Sequence, residues 1–482
     1  MKPKETFFVI PTYRLRDVAE TIEEYDRNFW ANGHSPKMII FDDSSLVNYK
    51  KYYPLLEQTK TVNDIFYVGP REKEQFITLL SDRLRDKKLD SLVRNLFRPS
   101  YGGNRNFTLR YTLGHLMVSS DDDMRPDALI ETSPESLSSD EICRGKLFRK
   151  DESGYVHRSF DLLTAFEDVL GKKVSQIPEN YEIGELVVDS TMDLETNTTK
   201  GYFRESSLLL RSGHISEDAI VKMAQTFRTG TNDIDTLDFV QMYLNNDSQI
   251  NPDDLNELYV LVNFRPVITN KNWRMDCGVA GYDNRLGLPP FFPTRLRFED
   301  YIYRLWIQQE NVVAAHVDAV QNHNRNNYMR SPLVSEIFNE EISNLLKRKI
   351  KDSLYHLDDL TIKFGYNGDV TLQDSEEILQ KITATHTEIV KAAQKAQDQD
   401  RKESLQLFAA NLSRVFYGFE PDFFQQNVSR IIDDVVSQFH AALEIWPTLV
   451  EICYFQKDKQ DLPQIRVDNQ KLKTRNGAKS VN

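Results

Sequence analysis

The stretch TFFVIPTYRLRDVAETIEEYDRNFWANGHSPKMIIFDDSS, residues 6–45, contains one strand–helix–strand unit. The apolar run at 6–12 is closed by proline and threonine and predicts a buried strand. Apolar residues then recur every three or four positions, which predicts an amphipathic helix through Leu15, Val18, Ile22, Tyr25 and Phe29. Asn32-Gly33 ends this helix, and the apolar run at 37–45 predicts a second strand that finishes in carboxylates and hydroxyls.

The same alternation continues further along the chain. Residues 64–70 predict a third strand stopped by Gly-Pro, residues 104–117 predict a helix, and 116–118 predict a strand before three aspartates. This order indicates an α/β fold with a mainly parallel, doubly wound sheet. In such a sheet ligands bind beyond the carboxyl ends of the strands. Three polar motifs are expected at such ends: Pro11-Thr12, Asp42-Asp43 and Asp121–Asp123.

The remainder of the chain can be divided by its polarity and by the spacing of its apolar residues. Residues 140–200 are polar and predict an insertion with short helices, whereas 201–211 and 311–325 predict strands. After residue 330 the spacing predicts four helices, through 334–346, 374–390, 403–417 and 422–446, with Asp374 or Ser375 as a cap and Gly418 and Pro447 as stops. We therefore expect three parts: an α/β domain at 1–330, a separate all-helical domain at 331–455, and a polar, disordered tail at 456–482.

Composition excludes several classes of protein. Of the 482 residues, 40% are hydrophobic and 28% are charged, which is typical of a soluble globular protein. The net charge of -13 argues against a general nucleic-acid binder and against attraction to anionic lipid. The three cysteines Cys143, Cys277 and Cys453 are far apart, which argues against a disulfide framework or a structural zinc site. With no signal-peptide pattern and no run of ~18 apolar residues, we expect a cytoplasmic protein without a transmembrane segment.

The three consecutive aspartates are the first candidate site. In an extended segment alternate residues share a face, so Asp121 and Asp123 are expected to point the same way, and Asp122 is expected to support the turn. Two hard oxygen ligands suit Mg²⁺ or Mn²⁺. The alternative is a solvated acidic turn that caps the next element. The buried strand before the aspartates favours the metal site.

The motif YGGNRN, residues 101–106, precedes these aspartates. The Gly102-Gly103 pair would allow a close backbone approach to a phosphate, and Arg105 would pair with it. An ordinary turn with a helix cap explains the motif equally well when it is considered alone. The spacing matches neither a Walker loop nor GxGxxG.

Two further motifs carry groups that transfer protons or bind metals. Glu299 and Asp300 open a predicted helix, where either could act as a general base on an acceptor hydroxyl. Acidic residues at a helix start are also favoured by the helix dipole alone, which is the simpler explanation. Of the two histidines His316 and His323, the second lies among polar residues and is the better candidate for a metal ligand.

These pieces, in this order, resemble the GT-A nucleotide-sugar glycosyltransferases, especially the large family-2-like group. The similar segments are VIPTYR, IIFDDSS, GGNRNFTLRYTLGHLMVSSDDDM and FEDYIYRLW. The resemblance covers roughly residues 5–330 and is most specific in its first half. It implies a Rossmann-like GT-A domain, a metal-dependent transfer from a UDP- or GDP-sugar to an acceptor hydroxyl, and Mn²⁺ or Mg²⁺ as the cofactor.

The resemblance also assigns roles by residue. It implies that the metal is held by Asp121, Asp123 and His323. It implies that the nucleotide sugar is bound by Pro11, Tyr13, Arg14, Asp42, Asp43, Gly103, Arg105, Asn106 and Asp122. Asp300 would be the base of an inverting reaction, with Glu299 as the alternate. The same segment resembles that of retaining polypeptide N-acetylgalactosaminyltransferases, which leaves the stereochemistry open.

Two other functions stay open at this stage, as does the acceptor. A nucleotidyltransferase acting on sugar phosphates would also use paired carboxylates and Mg²⁺, but the first strand lacks the glycine-rich, basic loop that grips a triphosphate. A non-catalytic GT-A-like binding protein would have no need of either carboxylate pair. The helical domain could pack beside an acceptor cleft or mediate homo-oligomerisation.

Overall fold

In the computed structural model, the described residues are 5–13, 17–44, 46–84, 86, 88–131, 139, 141–149, 155–188, 207–228, 237, 258–270, 278–293, 296, 299–307, 311–323, 333–356, 361–366, 369–456 and 462–471. None of the described helices is long and apolar enough to cross a membrane.

Strands and helices alternate through the first 120 residues. In chain order they are β1 (Thr6–Thr12), α1 (Val18–Ala31), β2 (Lys37–Asp42), α2 (Leu46–Glu57), β3 (Lys60–Thr61), β4 (Ile65–Val68), α3 (Pro70–Leu84), α4 (Asp90–Leu96), α5 (Tyr101–Tyr111) and β5 (Leu116–Ser120). The strands predicted at 6–12, 37–45, 64–70 and 116–118 are confirmed. Helix α5 begins earlier than predicted because the Ser100 side chain caps it by accepting from the Gly103 amide at 3.0 Å.

The first half of the sheet is parallel and has a reversal point. β1 pairs in parallel with both β2 and β5, and β2 pairs in parallel with β4. The spatial order is therefore β4-β2-β1-β5, so the chain reverses its direction of travel across the sheet between β1 and β5. Ligands of doubly wound sheets bind in the crevice at such a switch point.

The second half of the sheet is mixed. Its elements are β6 (Met124–Glu131), β7 (Glu141–Arg149), β8 (Tyr155–Arg158), α6 (Leu162–Glu167), β9 (Glu182–Ile183), β10 (Glu185–Val188), β11 (Ser207–Arg211), β12 (Ile220–Arg228), β13 (Leu258–Phe264), β14 (Val267–Thr269), β15 (Val279–Asp283), α7 (Glu299–Ile307) and β16 (Val312–His323). The sheet continues from β5 through antiparallel β15 to β12, β16, β14 and β9. The α/β architecture is confirmed, although parallel pairing predominates only in the first half.

The prediction for residues 140–200 was only partly correct. The described part contains two short helices, α6 and a 3-10 helix at Val174–Gln176, but most of its elements are the strands β7, β8, β9 and β10. Strand β7 pairs with β11 and β13, which lie much further along the chain, in a separate four-stranded sheet. The stabilising partners are distant in sequence, so the local pattern did not reveal the strand.

Both faces of the main sheet are buried, which explains its continuous apolar runs. Alternate residues of β1 belong to different cores: Phe8 and Ile10 face one, while Phe7 and Val9 face the other. Helices α1 and α6 contribute to the first core, and α3, α4, α5 and α7 contribute to the second. This arrangement places α5 and α7 on the same side of the sheet.

The C-terminal region is helical, as predicted, but it also contains a hairpin. Its elements are α8 (Val334–Lys349), β17 (Ile350–His356), β18 (Thr361–Tyr366), α9 (Leu372–Lys395), α10 (Gln399–Phe419) and α11 (Ser429–Gln456). The all-helical prediction was therefore wrong for β17 and β18, which pair antiparallel. The cap of α9 is Thr371 rather than Asp374 or Ser375, because its hydroxyl accepts from the Asp374 amide.

One of the two predicted helix stops does not act as a stop. Helix α10 ends at Phe419, one residue after the predicted stop Gly418, whereas α11 continues through Pro447 to residue 456. Trp446 and Leu449, on either side of the proline, are both buried. Packing on the core therefore outweighs the hydrogen bond that proline removes. The same core cluster contains residues of the sheet and of α11, so the proposed boundary at residue 330 does not separate two cores.

Part of the tail predicted to be disordered forms two short strands that pair with β4 and β3. β19 (Ile465–Arg466) pairs antiparallel with β4, and β20 (Gln470–Lys471) pairs in parallel with β3. Val467 is buried between them, and Arg466 forms two bonds with Asp64, at 2.9 and 2.8 Å. An edge strand offers unpaired backbone groups, and this short polar segment satisfies them.

Deleting residues 462–482 should expose the β4 edge and increase self-association. The loss of Val467 burial and of the strand pairing should also lower the free energy of unfolding by about 2 kcal/mol. Deleting only residues 472–482 leaves both strands and is the matched control. Light scattering across a concentration series measures the effect. Equal masses for the two truncated proteins at every concentration would refute it.

Candidate functional site

The carboxyl ends of β1, β2 and β5 are joined directly at the switch point. The Thr12 hydroxyl, at the end of β1, donates to Asp122 Oδ2 at 2.6 Å. The Asp43 amide, after β2, donates to the Thr12 carbonyl at 2.8 Å. The three predicted polar motifs are therefore neighbours in space, although they lie far apart in the sequence.

The three aspartates form a turn rather than an extended segment. β5 stops at Ser120, and the Met124 amide donates to the Asp121 carbonyl at 3.3 Å. The argument from strand alternation therefore does not apply to Asp121 and Asp123. The Asp121 side chain is 33% exposed, whereas Asp123 is buried. Asp121 is therefore the more exposed of the two carboxylates.

Asp122 supports the turn, as predicted. It is buried, its carboxylate accepts the Thr12 hydroxyl, and its carbonyl accepts the Thr21 hydroxyl at 2.5 Å. Arg125 fixes the same turn to α1 through Glu20 and Glu24, each at 2.9 Å. The sequence motif had also placed Asp122 among the nucleotide-sugar ligands, but its carboxylate is engaged inside the protein.

Strand pairing brings His323 beside the aspartates. In the register of β6 and β16, His323 lies opposite Met124, the residue that follows Asp123. The structure describes the backbone of His323 but not its side chain. The described side chains contain no cluster of three metal-ligating residues.

Arg105 connects the aspartates to the start of α7. Its Nη2 donates to Asp121 Oδ1 at 2.9 Å, and its Nε donates to Glu299 Oε1 at 3.4 Å. Both the Arg105 and the Glu299 side chains are nearly buried. One guanidinium therefore lies between the two carboxylate motifs that the sequence singled out.

The Glu299 carboxyl is a weaker acid than an ordinary glutamate. Burial raises its pKa to about 7, the neighbouring Asp300 raises it in the same direction, and Arg105 opposes both. Asp300 is only half-buried and lies one residue further along α7. A carboxylate pair with one member poised near neutral pH is suited to proton transfer.

Replacing Glu299 with glutamine should stabilise the protein at pH 8. Glu299 ionises near pH 4.5 when unfolded and near 7 when folded, so the wild type loses stability as pH rises between those values. The variant avoids this cost, which amounts to about 3 kcal/mol at most at pH 8. The gain should largely vanish at pH 4.5. Calorimetry at several pH values tests this, and a gain that does not change with pH would contradict it.

The structure corrects the role predicted for Asp42. Its side chain is fully buried and accepts from Tyr67 Oη at 2.6 Å, Ser44 N at 2.7 Å and Ser44 Oγ at 2.8 Å. Burial raises the pKa of Asp42, while the bonds from Tyr67 and Ser44 oppose the rise. These bonds engage both oxygens and fix the turn after β2, which favours a structural role over the predicted ligand role.

Asp43, the next residue, is slightly more exposed and has a side-chain partner, Lys73, that the sequence did not indicate. Lys73 Nζ donates to Asp43 Oδ1 at 3.0 Å and to Asn104 Oδ1 at 2.7 Å. Burial lowers the pKa of Lys73, and Asp43 opposes the shift. Asn104 and Thr12 lie inside quoted motifs, whereas Lys73 on α3 reaches β2 only through the fold and had no local signal.

Tyr13 and Tyr101 form an exposed aromatic rim. Their side chains are 53% and 44% exposed, and their ring centroids are 6.3 Å apart in an edge-to-face arrangement. Tyr13 directly follows β1, and Tyr101 is the first residue of α5. The rim therefore lies beside the strand end that contacts Asp122.

The other residues predicted to bind the nucleotide sugar have structural roles or lie outside the described residues. A Cβ at Gly103 would meet the Arg98 carbonyl at 1.9 Å, so its close approach is to protein backbone and not to a phosphate. Asn106 is buried and bonds both the amide and the carbonyl of Phe291. Pro11 pairs with Phe41 inside the sheet, and Arg14 lies outside the described residues.

Comparison of the chain with protein-family models, with curated proteins and with solved structures found no match. The chemistry of the site must therefore be inferred from its own geometry.

Proposed function

We propose that the chain is a metal-dependent glycosyltransferase with a GT-A-like fold, which moves a sugar from a nucleotide-sugar donor to an acceptor hydroxyl. The observation that carries the proposal is the Asp121–Arg105–Glu299 chain at the switch point of the sheet. It links the carboxylates proposed to bind the cation to the Glu299-Asp300 pair proposed to supply the general base. A metal-dependent glycosyl transfer with a general base needs both groups close together.

The turn after β5 carries the carboxylates proposed to hold a divalent cation. Asp121 and Asp123 supply carboxylate oxygens, and the pairing of β6 with β16 puts His323 next to them in the sheet. Carboxylates are the ligands preferred by Mg²⁺ and Mn²⁺. When bound, such an ion neutralises the charge that develops on the departing nucleoside diphosphate.

The residues at the end of β2 suit a uridine or guanosine base. Lys73 and Asp43 bind each other at 3.0 Å, and Lys73 also binds Asn104, which leaves the ammonium one further donor and the carboxylate a second oxygen as acceptor. Uracil and guanine each present a carbonyl beside a ring N–H, which is the complementary pattern. Tyr13 provides an exposed ring face on which the base can stack.

The start of α7 supplies the proton acceptor. Asp300 takes the proton of the acceptor hydroxyl. The hydroxyl oxygen forms the new bond to the anomeric carbon while the bond from that carbon to the diphosphate breaks. Arg105 gives positive charge between the donor phosphates and α7, and Glu299 holds it there. This arrangement supports an inverting reaction, with Glu299 as the alternate base.

The proposal is tested by incubating the full chain with UDP-, GDP- and dTDP-sugars, with and without Mn²⁺, and measuring nucleotide release. We expect release from a UDP- or GDP-sugar only when the ion is present. Release that is unchanged after chelation of the metal would refute the metal-dependent mechanism. No release from any donor would refute the function.

A further inference from the structure

The loop at 287–293 lies between the two helices that carry the Arg105–Glu299 pair. On the α5 side, Asn106 accepts from the Phe291 amide at 2.7 Å and donates to the Phe291 carbonyl at 3.0 Å. Gly102 approaches so closely that a Cβ would meet the Phe292 carbonyl at 1.9 Å. The loop is therefore fixed firmly to α5.

The same loop is stacked onto α7 by one aromatic ring. The Phe291 ring lies parallel to Tyr303, with centroids 3.9 Å apart and an interplanar angle of 7°. The Arg105 guanidinium carbon lies 5.8 Å from the centroid of that ring. Phe291 thus contacts both the helix that begins at Glu299 and the guanidinium that Glu299 binds.

Helix α11 of the C-terminal region contacts all three of these elements. Phe439 stacks on Trp306 of α7 at 5.5 Å and meets Phe292 edge to face at 4.5 Å. Trp446 donates from Nε1 to the Leu288 carbonyl at 2.8 Å, and its ring lies 4.2 Å from the Arg110 guanidinium carbon of α5. The rings of α11 therefore connect α5, the loop and α7.

We propose that α11 sets the geometry of the Arg105–Glu299 pair, with Phe439 and Trp446 as positioning residues. The pair is joined at 3.4 Å, near the limit of a hydrogen bond, so a small movement of α7 relative to α5 breaks it. The catalytic consequence rests on the proposed function. The C-terminal region is then part of the active-site structure and not a separable module.

Phe439→Leu in the full chain tests this positioning role. We expect kcat to fall about ten- to a hundredfold while the donor KM changes less than about twofold, because misplaced catalytic groups lower turnover more than binding. Trp446→Phe keeps a ring over Arg110 but cannot donate to Leu288, and it should show the same pattern. The matched control is Ile432→Ala, a buried change seven residues earlier in α11. It should lower thermal stability without changing kcat.

Amide hydrogen exchange provides a readout that does not depend on activity. Exchange should accelerate in residues 287–293 and 299–307 of Phe439→Leu and Trp446→Phe, but not in those of Ile432→Ala. Unchanged exchange there in both variants, or an equal response in the control, would overturn the positioning role. Failure of the wild type to release nucleotide would instead overturn the proposed function, and the exchange comparison would still decide the positioning.

Discussion

Replacing Asp123 with asparagine should reduce Mn²⁺-dependent nucleotide release by a hundredfold or more. The substitution keeps the size of the side chain and removes one negative charge from the group proposed to hold the cation. Loss of a single interaction with the developing transition-state charge costs about 10²–10³ in turnover. Nucleotide release at saturating donor and Mn²⁺ measures the effect.

The matched control is Asp26→Asn. Asp26 is also a buried carboxylate, but it accepts from the Val62 and Asn63 amides at 2.6 and 2.9 Å, just before β4 begins and so at the opposite edge of the sheet. This variant should lose stability without losing turnover at a temperature where it is folded. Equal turnover in Asp123→Asn and wild type would remove Asp123 from the metal site.

Asp300→Asn should abolish transfer while leaving the donor affinity close to that of the wild type. The asparagine side chain cannot take a proton from the acceptor hydroxyl, and general-base catalysis contributes about 10²–10⁴ in rate. Donor affinity should persist because the groups proposed to bind the nucleotide, Asp43, Lys73 and Tyr13, are unchanged. Initial rates of transfer and calorimetric titration of the donor measure the two quantities.

Glu299→Gln is the companion variant for Asp300→Asn. If Asp300 is the base, Glu299→Gln should retain measurable transfer, because Arg105 keeps its bond to Asp121. Full activity in Asp300→Asn, together with complete loss in Glu299→Gln, would assign the base to Glu299. Full activity in both variants would contradict a base at the start of α7.

Local patterns were sufficient to predict the parts of the fold in which neighbouring residues decide the outcome. The runs before Asp42 and Asp121 are strands because each contains a continuous apolar segment, 38–41 and 116–118, and both faces of the sheet are covered. The strand-end rule then placed Thr12, Asp43 and the three aspartates at one edge, and the structure joins Thr12 to both Asp43 and Asp122. The acidic start of α7 was also evident from its own sequence.

Other features depended on partners that are remote in sequence. Lys73 on α3 contacts Asp43 although the two are 30 residues apart, and the segment just before Val467 forms a strand by pairing with β4. The position of Asp42 at a strand end suggested that it binds the nucleotide sugar. In the structure its two oxygens accept hydrogen bonds from Tyr67 and Ser44. The link between Arg105 and Glu299 likewise arises from the packing of α5 beside α7.

In the proposed site, Asp121, Asp123 and His323 would hold a cation that favours binding of a nucleoside diphosphate. Calorimetric titration of UDP and GDP into the wild type and into Asp123→Asn, each with and without Mn²⁺, tests it most directly. For one nucleotide, Mn²⁺ should tighten binding to the wild type at least about tenfold, as loss of one metal-supporting group changes affinity by 10–100-fold. Binding to the variant should not respond to Mn²⁺. Equal affinities with and without Mn²⁺ in the wild type would contradict the account.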